Sequence, residues 1–165
     1  MTLDEAHDHW RRERERLVSI QEWVDEGKPE PPKSLRKALE RYARLNKTDA
    51  KRALKELREE LEKDAFLRMF SAFEAELRAA FSGWLRERCG TTSAPDDIDD
   101  ALPAIDGVLR LAAVLEPRFD SSRAGYVSNV RECRNRLIHG GFASPVPYDL
   151  EEIHRRLAEV PALFR

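Results

Sequence analysis

The chain has 165 residues, 36% of them charged and 41% hydrophobic, and a net charge of −2. That length is one domain's worth and can bury a core without disulfide or metal staples. The evenly mixed charges exclude a disordered polyelectrolyte and a bulk basic field for nucleic acid, and the uncharged runs fall far short of a membrane span.

The N-terminal M-T-L-D-E-A-H-D-H-W is acidic and polar, unlike a secretory signal or a transit peptide. Cys89 and Cys133 are too few for a disulfide framework or a zinc site, so a reducing cytoplasm is the expected compartment. Glycine is scarce, Leu, Ala, Glu, Arg and Lys dominate, and no stretch alternates apolar and polar with β-branched residues; the chain reads as all-α.

A first helix is expected from Leu3 to Glu26, with Trp10, Leu17, Ile20 and Val24 on one seam and Gly27 as its stop. Lys28-Pro29-Glu30-Pro31-Pro32 cannot be helical and makes a stiff linker. Ser34 then caps a helix carrying Leu35, Leu39, Tyr42 and Leu45, and Asn46 and Thr48 mark a break. A long helix follows from Thr48 or Asp49 to Cys89. Its first half is charge-rich and projects or pairs locally; its second half, with Phe66, Met69, Phe70, Phe73, Leu77, Phe81 and Trp84, belongs to a core. After a loop to Asp97, further helices are expected from Ile98 to Leu115, Ser121 to His139 and Leu150 to Val160. Gly140-Gly141 ends the second of these, and Pro145 and Pro147 hold the next connection open. The expected organisation is an up-and-down bundle over residues 49–165 with a dispensable N-terminal helical extension over 1–48.

The helix from Ser121 carries the chemistry. Tyr126, Val130, Cys133 and Leu137 form a buried stripe, and Arg134 falls inside it, where an unpaired charge is costly. Arg131, Asn135 and His139 stand at i, i+4 and i+8 beside it. Two forked guanidiniums, an amide and an imidazole in one strip suit phosphate: donors for its oxygens, and one group that moves protons near neutral pH. The plain alternative is an interfacial arginine, a helix-end asparagine and a histidine favoured by the negative helix terminus.

Arg134-Asn135-Arg136-Leu137-Ile138-His139-Gly140 resembles the signature of HEPN domains, the higher eukaryotes and prokaryotes nucleotide-binding superfamily. That signature is an Arg, an Asn, and a His four residues beyond the Asn, late in a helical chain, and the likeness covers residues 64–164. The resemblance implies a homodimeric bundle whose two motif helices form one composite cleft, in a metal-independent ribonuclease without a cofactor. By position, Arg134 would hold the scissile phosphate, Asn135 would orient the phosphate or the histidine, and His139 would move protons as the 2′-hydroxyl attacks. Arg131 would add a substrate contact, and Glu74 matches the acidic residue with which an earlier helix holds the motif arginine. Partners implied are RNA and an antitoxin or companion protein, in a toxin or phage-defence setting. Gly141 stands where members controlled by adenylylation carry Tyr, so that control is not expected. The alternatives are a non-catalytic HEPN module and a helical interaction domain binding a nucleotide or a partner protein.

Other groups read as structural. His7 and His9 lack a third ligand and are expected exposed; His154, Arg155 and Arg156 make a solvated face; Cys133 is a core residue.

Overall fold

Thr2 and Glu5 start the first helix, α1 (Leu3–Glu26), by closing a capping box. The Glu5 amide donates to Thr2 Oγ1 at 3.1 Å, and the Thr2 amide donates to Glu5 Oε2 at 2.7 Å. Gly27 ends the helix in the left-handed region, at φ 65°, where a Cβ would be strained. The computed structural model describes residues 1–27, 45–89, 105–139 and 148–165. Within them lie five helices and no strand: the protein is an all-α helical bundle. None of these helices is long and apolar enough to cross a membrane. The Pro-rich stretch at 28–32, the helix expected from Ser34, the loop at 90–97, the first turns of the helix expected from Ile98, and the Gly140-Gly141 stop with Pro145 and Pro147 lie outside the described residues.

The spine is α2 (Lys47–Cys89), whose 43 residues span about 65 Å at 1.5 Å per residue. Asn46, read in sequence as a break, caps it: its Oδ1 accepts from the Asp49 amide at 2.9 Å. Phe66, Met69, Phe70, Phe73, Leu77 and Phe81 are fully buried along its second half, as their spacing predicts. Its first half pairs locally, where Ala50 and Leu54 join Ile20 and Val24 of α1 in a small separate cluster.

α1 runs antiparallel to α2. At one end the Leu3 amide donates to Glu76 Oε1 at 2.6 Å; at the other, Lys51 Nζ meets Asp25 Oδ1 at 2.5 Å. The remaining helices are α3 (Ile105–Leu115), α4 (Ser121–Ile138) and α5 (Leu150–Ala162). α3 contributes Val108, Leu109 and Ala112 to the main core, α4 contributes Val127, Val130, Cys133 and Leu137, and α5 contributes Leu150, Ile153, Leu157 and Val160. Beyond α5, Phe164 meets Phe81 and Trp84 edge-on, at 5.3 and 5.7 Å between centroids.

Two expectations change. Leu3, Ala6 and Trp10 of α1 lie in the same core as α2, α4 and α5, so the core does not stop at residue 48, and the first helix is part of the bundle rather than an appendage. His7 is 6% exposed, not solvated. Its Nε2 bonds Glu151 Oε2 at 2.8 Å, its ring stacks on His154 at 3.9 Å, and His154 Nε2 bonds Asp4 Oδ1 at 2.8 Å. An aromatic pair with a carboxylate on each member joins α1 to α5.

Candidate active site

α4 is positioned by a cap and a corner. The Asp120 carboxylate accepts from the Arg123 amide at 2.9 Å, fixing the helix start. Just before it, buried Glu116 grips Arg118 through two parallel bonds, Nε to Oε1 at 2.8 Å and Nη2 to Oε2 at 2.9 Å. Arg118 also donates to the Leu163 carbonyl at 2.6 Å, tying the α3–α4 corner to the C-terminus. These hydrogen bonds hold the Glu116 carboxyl well below its usual range, at about 2.

The buried stripe of α4 is Val127, Val130, Cys133 and Leu137. Tyr126, expected on that stripe, is half-buried instead, with the Arg156 guanidinium 3.7 Å from its ring centroid. Burial pushes the Cys133 thiol above its usual range, which suits a packing role rather than a nucleophile.

Arg134 flanks the stripe, half-buried, and its Nη1 donates to Asn135 Oδ1 at 3.1 Å. The two residues of the sequence strip that adjoin each other are thus in direct contact. Arg131, one turn earlier, is ion-paired with Asp106 in the first turn of α3. Glu74 comes from α2 to the same place. It is half-buried, burial pushes its carboxyl up, and the Arg134, Arg131 and Arg78 charges pull it back down. The expected candidate on the earlier helix therefore lies in the field of both strip arginines. Glu76, on the other edge of α2, serves the fold instead by taking the Leu3 amide.

His139 lies past the last residue of α4 and is exposed. Its amide donates to the Asn135 carbonyl at 3.1 Å, closing the helix while leaving the imidazole to solvent. Ile138 beside it is 49% exposed, an apolar side chain open to solvent next to the imidazole. Asp106 is the member of this constellation that the sequence did not single out. One acid among several in that stretch carries no periodic signal; only the antiparallel return of α4 along α3 brings it to Arg131. Among the described residues, no group of three or more His, Cys, Asp or Glu is placed to hold a metal ion.

No protein-family model, curated protein or solved structure matches the chain. The functional reading therefore rests on the motif and its surroundings.

Proposed function

We propose that the protein is a metal-independent endoribonuclease of HEPN type that works as a homodimer, in the setting of a toxin or phage-defence effector. The observation that carries this reading is the composition of one helix end. The Arg134 guanidinium is held by Asn135 and lies close enough to Glu74 to act on its carboxyl, and an exposed imidazole, His139, stands one turn beyond Asn135.

The chemistry is transesterification. The RNA 2′-hydroxyl attacks the adjacent phosphorus, its proton leaves to a base, and the 5′-oxygen departs with a proton from an acid, leaving a 2′,3′-cyclic phosphate and a 5′-hydroxyl. One His139 per chain supplies one proton-transfer group; a dimer with apposed α4 helices supplies two, base and acid. Arg134 stabilises the charge that develops on the phosphoryl oxygens, where a fixed donor is most effective. Exposed Ile138 gives the two helix ends an apolar contact beside the reacting groups.

A second reading, a catalytically silent module that binds a nucleotide or a protein, is favoured by one fact: Arg131 and Arg134 are both engaged within the chain. Incubation of the purified protein with total RNA in EDTA separates the two. The ribonuclease reading expects fragments ending in cyclic phosphate, at a rate unchanged by the chelator. Intact RNA under these conditions gives the module reading its place.

A further inference from the structure

We infer that Asp106 is a built-in competitor for RNA phosphate: it occupies the Arg131 guanidinium in the free protein and sets how tightly the α4 strip takes RNA. The inference rests on the ribonuclease reading above and concerns the regulation of that same site.

The ion pair joins two helices across the edge of the strip. Its side chains are 31% and 45% exposed, so the pair is open to solvent and to an incoming anion, and salt loosens it. A phosphate oxygen presents to a guanidinium what a carboxylate oxygen presents, and it comes with neighbours along a polyanion. Asp106 has a second favourable influence besides Arg131. It lies in the first turn of α3, where the positive end of the helix dipole favours a negative charge. Exchange of partners therefore leaves neither group without a counterpart: Arg131 passes to phosphate, and Asp106 keeps its helix terminus.

The exchange also has a geometric consequence. Arg131 stands three residues before Arg134, so the two are neighbours on α4. Released from Asp106, Arg131 presents a second forked donor next to the one that Asn135 holds. Glu74 lies in the field of both and remains as the acid facing them. Bound RNA would then meet two guanidiniums where the free protein offers one.

Binding of a single-stranded oligoribonucleotide with 2′-O-methyl riboses, which cannot be cleaved by 2′-hydroxyl attack, tests this across a salt series. Asp106→Asn is expected to tighten binding about two- to fivefold, the worth of a half-exposed pair. It is also expected to steepen the slope of log K against log salt by about 0.7, one more phosphate neutralised on a single strand. Adding Arg131→Gln cancels both changes. Asp106→Glu, which can re-form the pair, stays near wild type, and Asp64→Asn, which removes an exposed charge paired with Arg68, leaves the slope unchanged. If the wild type binds the oligonucleotide and Asp106→Asn leaves the slope as it was, or weakens binding, the competitor role is overturned and the ribonuclease reading stands. If the wild type does not bind RNA, that reading falls, and this inference with it.

Discussion

At the scale of single residues, the proposed chemistry and the corner that supports it make separate demands. Arg134→Ala removes the phosphate donor and should slow RNA cleavage about 10²–10³-fold. His139→Ala removes a proton-transfer group and should slow it about 10²–10⁴-fold. His139 is exposed, and half-buried Arg134 donates to the amide oxygen of the adjacent Asn135, so melting temperatures of both variants should stay close to wild type. A variant of either residue that cleaves at the wild-type rate would falsify the catalytic assignment. Glu116 makes a different prediction. Its carboxyl, ordinarily near 4.5, is held at about 2 by Arg118, so the folded state favours the charged form. That stabilisation is present above pH 4.5 and is lost as pH falls toward 2. Thermal melts of Glu116→Gln and wild type should therefore differ most near neutrality and converge over that acid interval.

At the scale of helices, α1 is the element whose role the structure changes. Trp10 is 4% exposed and sits with Leu3 and Ala6 against the aromatic half of α2. Trp10→Ala should cost about 3–5 kcal/mol in chemical denaturation. Removal of residues 1–48 should leave a chain without a cooperative melt, since it uncovers part of α2 and strips His154 and Glu151 of His7 and Asp4. The boundaries of α1 were legible because Gly27 punctuates its end, and the start of α2 was legible to within two residues because Asn46 marks a break before it; the last helix begins at Leu150 as expected but runs to Ala162, past the expected Val160. The membership of α1 in the core was not legible. Its seam reads the same whether it faces the bundle or a separate partner, and the Pro-rich stretch after it suggested separation. His7 was misread for a related reason: a histidine among acids and arginines has no apolar pattern around it, and the buried surface comes from α5, 144 residues away. On α4 the strip was readable from its spacing, but Arg134, expected inside the buried stripe, flanks it half-buried, and the pairing of Arg131 with Asp106 depends on how two helices return along one another.

At the scale of the whole molecule, the ribonuclease reading expects two chains. Light scattering at micromolar concentration should give the mass of a dimer, and Ile138→Glu, a charge placed on an exposed apolar side chain next to His139, should give that of a monomer. Mixed dimers carrying one His139→Ala chain should be impaired, because each composite cleft draws on both. The long α1–α2 hairpin carries a consequence of another kind. Among the described residues its apolar contacts form two separate clusters along one continuous helix: the larger holds Phe66 to Trp84, the smaller Ile20, Val24, Ala50 and Leu54 with their fringe. The smaller cluster lies apart from the main core, and a segment packed outside the main core is expected to open at a lower free energy than the core itself. Amide hydrogen exchange should thus grade along α2, with the amides around Ala50 and Leu54 exchanging through local opening and those around Phe70 and Phe73 only when the whole domain unfolds. Salt should sharpen the gradient, since the Lys51–Asp25 pair that pins the hairpin tip is solvent-exposed. Along α2, the described residues would then grade from a rigid base around Phe70 to a locally opening start around Ala50.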